Sequence, residues 1–309
     1  MDALTHTLVA LTIGMAGFRR WGRKGTLYLV AAANLPELER LAALGGQAAW
    51  VKACYGAGHS LITAPLLGLL LWALLRRKLG PARALEVVSL GLGSHLVLDL
   101  LSGPGVRLLW PFSGAFYGLT LLARYDLLTL LVLGLVLLGP RLLNLVNRDI
   151  GAATYRPEKP ARVGLVTVAL LLVVRLAMLL MVTSRLEAAS TSGFSLSPSA
   201  LHPLTWYAVS DAGMAYTVEE VTANGYGPAF RFRKMETNRA LETAAETPLA
   251  QAFLEIARFP QYSLEAGDHG MRVRIRDMRF FTPAGQGKEY SVEIEVTPQL
   301  QVVAQKARM

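Results

Sequence analysis

Seven side chains with metal-binding chemistry stand inside or at the ends of strongly apolar stretches: His6, Glu37, Glu39, His59, His95, Asp99 and Asp126. An ionisable group surrounded by hydrocarbon is costly, so each such position is a functional candidate by default. Imidazole nitrogens together with carboxylate oxygens suit zinc, manganese or iron, and several carboxylates can bridge two ions. The expected cofactor is therefore one or two divalent ions, zinc foremost. His95 and Asp99 are four residues apart and share a helix face about one turn from each other, the spacing of two ligands to one ion or of a ligand and the group that orients it. Glu37 and Glu39 are two apart, which in a regular helix turns them about 200° from each other. Pro36 removes a backbone donor just before them and kinks or ends the helix, letting both carboxylates face one cavity.

Apolar runs near the length needed to cross about 30 Å of hydrocarbon position these groups. They lie at roughly residues 3–18, 26–44, 59–75, 84–101, 125–142 and 163–183, and predict about six spans. Asp2 precedes the first run and Arg19, Arg20, Arg23 and Lys24 follow it, the reverse of a signal peptide, so this run reads as a helix with its N-terminus outside. Three connections are basic: 19–24, then Arg76, Arg77, Lys78 and Arg83, then Arg141, Arg148, Arg156, Lys159 and Arg162. In a six-span chain all three fall on the cytoplasmic side. The opposite connections, about 45–58 and 102–124, hold fewer cations and carry Trp50, Trp110 and Phe112 of the interfacial kind. With helices running alternately outward and inward, early residues of the odd spans and late residues of the even ones meet near the outer face. All seven candidates fall in that layer, each within roughly two turns of a helix end.

The whole composition agrees with a membrane protein. Of 309 residues, 53% are hydrophobic and 17% charged, and the mean hydropathy is +0.38, which argues against an ordinary soluble globule, disorder or a collagen-like chain. The single cysteine, Cys54, excludes a disulfide scaffold. The net charge of +9 is accounted for by the basic connections, so the expected partner is the lipid bilayer of the inner membrane and not nucleic acid.

After about residue 185 the chain turns to Ser, Thr, Pro, Glu and Arg, with no further run long enough to cross a membrane. The fold class expected is mainly α: a polytopic helical bundle over 1–184 followed by a small α+β extracytoplasmic domain over 185–309. Alternation at 271–276 and 290–296 predicts strands, helical spacing at 247–259 predicts a helix, and 224–225 and 265–268 read as turns. Arg272, Arg274 and Arg276 then share one strand face, and His202 and His269 read as surface residues. Arg175 stands alone in its apolar run and calls for a carboxylate or backbone carbonyl partner inside the bundle.

Six stretches resemble, in order, the motifs of the YdjM-like membrane-bound metal-dependent hydrolases. They are Met1-Asp-Ala-Leu-Thr-His6, Pro36-Glu-Leu-Glu39, Cys54-Tyr-Gly-Ala-Gly-His-Ser60, His95-Leu-Val-Leu-Asp99, Trp110-Pro-Phe-Ser113 and Tyr125-Asp126. The resemblance covers about residues 1–145. Two glutamates stand where the family has aspartates, and Cys54, Tyr55 and Gly58 replace its histidine, arginine and threonine. The resemblance implies metal-assisted hydrolysis, with His6, Glu39, His59, His95, Asp99 and Asp126 as ligands and Glu37 as the base that takes the proton of water. Cys54 is then either a thiolate ligand or a loop residue. The 102–113 loop lies beside the site, and Arg107 and Arg124 are candidates to pair with an anionic lipid or phosphoester substrate. Two other classes use the same residues: a proton- or ion-coupled transporter, and a non-catalytic anchor that presents the C-terminal domain.

Overall fold

The computed structural model describes residues 2–56, 58–103, 105–149, 156–189, 193–281, 283 and 290–308. Met1 of the opening motif, Pro104 of the 102–113 loop and the side chain of Arg148 lie outside the described set. The chain forms two compact units. One comprises Met1–Glu39, Tyr55–Ala177 and Ala200–Pro203, the other Arg40–Cys54, Met178–Ser199 and Leu204–Met309.

The first unit is helical. Asp2 caps α1 (Ala3–Ala16), and α2 (Phe18–Asn34) follows at once, running back through the basic residues that the sequence assigns to a loop. Gly22, at φ 65°, breaks α2 internally. Pro36 then opens a 3₁₀ helix, Pro36–Gly45, where the sequence suggests continuation of a span. After α3 (Gln47–Ala53) come α4 (Thr63–Leu79), α5 (Pro81–Leu101), α6 (Leu127–Asp149) and α7 (Glu158–Ala188). Within this unit α2 packs on α1 and α5, α4 on α5, and α6 on α1.

Among the described residues, only α5, the Leu127–Asn147 part of α6, and α7 are both long and apolar enough to cross a bilayer. Six spans are therefore corrected to three. The physical reason is continuity: hydrophobic runs were counted where helices are not continuous. α1 has 14 residues, about 21 Å at a helical rise, short of the hydrocarbon thickness. The second run is split between α2 and the 3₁₀ helix, and the third starts only at Thr63 and ends in Arg76, Arg77 and Lys78.

The second unit is richer in strand than expected. Antiparallel sheets β1 to β4 (Ser195–Pro198, Thr205–Asp211, Ala215–Thr222, Gly225–Arg233) and β5 to β8 (Pro260–Ala266, Met271–Asp277, Ser291–Val296, Val302–Arg308) both follow chain order. The expected 247–259 helix stops early, as α9 (Pro248–Leu254). Thr247 caps it, Pro248 occupies its first turn, and it follows α8 (Arg239–Ala245). Val273 and Ile275 of β6 face a core with Val292, Ile294, Leu241 and Phe253. Arg272, Arg274 and Arg276 alternate with them: Arg272 pairs with Asp268 at 3.5 Å, Arg274 with Glu293 at 3.0 Å and Glu265 at 2.7 Å, and Arg276 donates to Gln261 at 2.9 Å. His202 and His269 are exposed.

That core also takes in α3, from the segment between Glu39 and Tyr55. Val51 is fully buried there, with Ala48 beside it, and α3 packs on α9. Val51→Asp places an unpartnered charge among aliphatic side chains and is expected to destabilise this unit by several kcal/mol, about 3 or more. Thermal unfolding followed by the fluorescence of Trp206 checks it.

Candidate metal centre

Four separate pieces of chain deliver the candidate ligands. On α1, the Asp2 carboxylate accepts from Thr5 N at 3.1 Å and from Thr5 Oγ1 at 2.5 Å, which satisfies one of the orphan N–H donors of the turn that carries His6. The 3₁₀ helix turns 120° per residue and places Glu37 and Glu39 closer in azimuth than an α-helix would. His59 sits in the turn before α4, and α5 carries His95 and Asp99 on one face. His6, His59, His95 and Asp99 are each at most 1% exposed.

Two glycines allow the approach. A Cβ at Gly91 would lie 2.6 Å from Ala32 Cβ and 2.8 Å from Leu29 O, so α2 and α5 touch backbone to backbone one turn before His95. That contact brings Ala33 O to 2.6 Å from His95 Nδ1. A Cβ at Gly58 would lie 2.5 Å from Pro36 O, which shows how closely the His59 turn abuts the start of the 3₁₀ helix. Gly58→Ala is expected to push His59 off its position and weaken metal affinity by about tenfold or more, since ligand orientation alone is worth that much. Isothermal titration with zinc reads the change.

The arrangement of the imidazoles carries the chemistry. His95 Nδ1 faces a carbonyl, which only accepts, so it donates its proton there and leaves Nε2 as a lone pair. His59 Nδ1 lies 3.1 Å from the Glu39 carboxylate and donates to it in the same way. The two Nε2 atoms then face each other at 3.0 Å, with Asp99 Oδ2 at 3.0 Å from His59 and 3.2 Å from His95. Three such atoms so close repel one another unless a proton or a metal cation lies among them. Donors bound at about 2.0–2.1 Å to one ion stand about 3.0–3.4 Å apart, which matches this triangle. Burial opposes charge on His59, but the hydrogen bonds and charges of Asp99 and Glu39 outweigh it and raise its pKa from 6.5 to about 9.

His6 completes the set. Its Nε2 lies 3.2 Å from Asp99 Oδ1 and 4.0 Å from Glu37 Oε1, and its ring stacks on His95 with centroids 3.9 Å apart. Among the described residues neither ring nitrogen meets a well-aligned hydrogen-bond partner, although the residue is buried. Buried polar atoms are nearly always satisfied, so this one fits a donor that acts on a ligand instead. Among the described residues, two groups have donors within 4.8 Å of one another: His59, His95 and Asp99, and His6, Glu37 and His95. Both depend on His95, whose single open nitrogen serves one ion, so the donor set fits one ion better than two.

Other sequence candidates stand elsewhere. Glu39 is expected as a ligand, but its oxygens accept from Tyr55 N at 2.6 Å, Gly58 N at 3.3 Å and His59 Nδ1, which makes it the group that orients His59. Glu39→Gln is expected to cost about 10–100-fold in metal affinity while stoichiometry at saturation holds. Asp126 joins neither group: Oδ2 meets Arg175 Nη1 at 2.5 Å and Oδ1 accepts from Thr129 N at 2.9 Å, capping α6. Arg175, which also reaches Leu121 O at 3.2 Å, thereby has both kinds of partner the sequence calls for. Cys54 joins neither group and ends α3. Arg107 stacks over Phe116 and Arg124 over Tyr125, at 5.0 and 5.5 Å from the ring centroids. The loop that holds Arg107 does lie beside His59: Arg107 N donates to Tyr55 O at 2.8 Å, and Leu61 N to Leu108 O at 2.9 Å. The Ala33 carbonyl was not legible as a functional group, because a backbone oxygen leaves no side-chain signal; Gly91 is its one trace in the sequence.

Compared with known families, residues 1–182 match the family model described as YdjM inner membrane protein. No curated protein and no solved structure matches the chain.

Proposed function

Because the chain belongs to the YdjM inner membrane protein family, we propose that it is a membrane-bound metal-dependent hydrolase acting on a lipid or other phosphoester near the extracytoplasmic face. The observation that carries this reading is the triangle of His59 Nε2, His95 Nε2 and Asp99 Oδ2, with both Nδ1 protons committed outward. His59, His95 and Asp99 would hold a divalent ion, zinc foremost, with His6 as a further donor. When bound at such donors, a divalent ion supplies Lewis acidity that polarises the scissile oxygen and lowers the pKa of water toward neutrality. Glu37 is the base: its carboxylate lies 4.0 Å from His6 and is 14% exposed, so it stays within reach of water. It takes one proton from the attacking water and returns one to the leaving oxygen. Glu39 and Ala33 O hold the two imidazoles in the tautomer that presents Nε2.

The placement of charge supports the outer face. Arg76, Arg77, Lys78 and Arg83 cluster where α4 ends and α5 begins, and His95 and Asp99 lie at the other end of α5. Positive charge marks the cytoplasmic side, so α5 runs outward, α6 returns and α7 leads out again to the C-terminal domain. A periplasm-active reporter fused to the C-terminus should work, and a cytoplasm-active one should not.

Elemental analysis of the purified full-length protein tests the hydrolase reading. About one zinc, manganese or iron per chain is expected. Protein that remains metal-free after incubation with each ion overturns the reading in favour of the transporter or anchor classes.

A further inference from the structure

Beside the ion-holding cluster, α4 and α5 enclose a groove of about 500 Å³. Its walls are Ala64, Pro65, Leu69 and Trp72 on α4, with Leu92 and Leu96 prominent on α5. Of these, Leu69 is more than half exposed, so the groove opens sideways. α5 is a candidate span, so an opening on its flank would face the bilayer. We propose that this groove holds one hydrocarbon chain of a membrane lipid and thereby delivers the lipid's polar linkage to the histidine cluster. This inference deepens the hydrolase reading and rests on it for the fate of the linkage.

Three features identify the occupant. The first is continuity: the groove starts at Ala64, whose N–H bonds Ser60 O at 3.0 Å next to His59, and Leu96 directly follows His95 on α5. The second is length. From Ala64 to Trp72 along α4 is about 12 Å and from Leu96 to Leu85 along α5 about 16 Å at a helical rise. Half of a hydrocarbon core of about 30 Å, the depth one lipid chain occupies, is about 15 Å. The third is closure. Trp72 ends the groove away from the cluster, fixed by its Nε1 donating to Pro81 O at 3.0 Å and by Arg76 over its ring at 5.1 Å. A chain therefore enters from the side, stops at the indole and places its ester or phosphoester end by His59. A small polar phosphate has no use for such a wall.

Photocrosslinking tests this on the full-length protein in vesicles of phosphatidylethanolamine and phosphatidylglycerol containing a diazirine-chain phospholipid. Adducts are expected to concentrate on Leu69, Leu92 and Leu96, and Ser89→Trp, which fills the groove from its lipid-facing wall, should cut that yield at least about tenfold. A single-chain lysolipid should compete for the adducts, and the free glycerophospho headgroup should not. Adducts spread evenly over the exposed leucines of α6 and α7, such as Leu135 and Leu170, or unchanged by Ser89→Trp, overturn the proposal. Elemental analysis of the same wild-type preparation separates the two readings. Groove adducts persisting in a chain that binds no metal even as wild type would sink the hydrolase reading alone; stoichiometric metal with evenly spread adducts would sink the groove alone.

Discussion

Asp99→Ala is expected to leave the purified protein without its divalent ion and without hydrolytic turnover. Among the described residues, Asp99 is the one that touches all three of these histidines: Oδ2 lies 3.0 and 3.2 Å from the Nε2 atoms of His59 and His95, and Oδ1 lies 3.2 Å from His6. Partners one bond removed from a metal cost about 10–100-fold in affinity when lost, so removing a direct oxygen donor should exceed about 100-fold. Asp99→Asn separates charge from shape. It keeps the volume and one oxygen but withdraws the negative charge that offsets a dication, so it should bind more weakly than wild type and better than Asp99→Ala. Both variants should keep their helical circular dichroism, because the side chain lies at the end of α5 and fills little of the apolar packing. Elemental analysis after gel filtration gives the result, and full metal occupancy in Asp99→Ala would remove the basis of the proposed centre.

Arg175→Ala is expected to destabilise the membrane unit by about 3–5 kcal/mol, the usual cost of leaving one member of a buried ion pair without the other. Arg175 is 2% exposed and Asp126 is fully buried, and the guanidinium links Asp126 to the Leu121 carbonyl. Taking the cation away leaves a buried carboxylate with, among the described residues, only the Thr129 N–H to satisfy it. The double variant Arg175→Met with Asp126→Asn should recover much of the loss, since it removes both charges and keeps an N-cap acceptor. Thermal unfolding in detergent measures each. The same variants decide what Asp126 does. If it is structural, the folded fraction of Asp126→Asn keeps its metal; metal lost at undiminished stability would make Asp126 a ligand.

The family motifs and the helix-end layer of polar groups were legible in the sequence because both depend on residue type and spacing. Polar residues near the ends of neighbouring helices can meet, and His6, Glu37, His59, His95 and Asp99 do come together. Asp126 shared that depth, but depth says nothing about azimuth, and Arg175 claims it from α7. The roles of Glu37 and Glu39 depend on which way a 3₁₀ turn faces, and a two-residue spacing does not encode that. The number of spans was misread for a related reason. Hydropathy reports how apolar a run is, while the Gly22 break, Pro36 and the late start of α4 decide whether it forms one rod. In the C-terminal half, alternation located β6 and β7 well, but it gave no hint of eight strands in two sheets.

The burial of α3 means that the molecule is not a pair of interchangeable cassettes. Residues 40–54 leave the cluster at Glu39 and rejoin it at Tyr55, and between those points Val51 is part of the core built by the last third of the chain. Cutting the gene at the change in composition near residue 185 would strand that loop with its greasy side in water. A swapped or truncated tail would then disturb the segment that begins at Glu39, so the C-terminal domain carries residues 40–54 with it in any exchange.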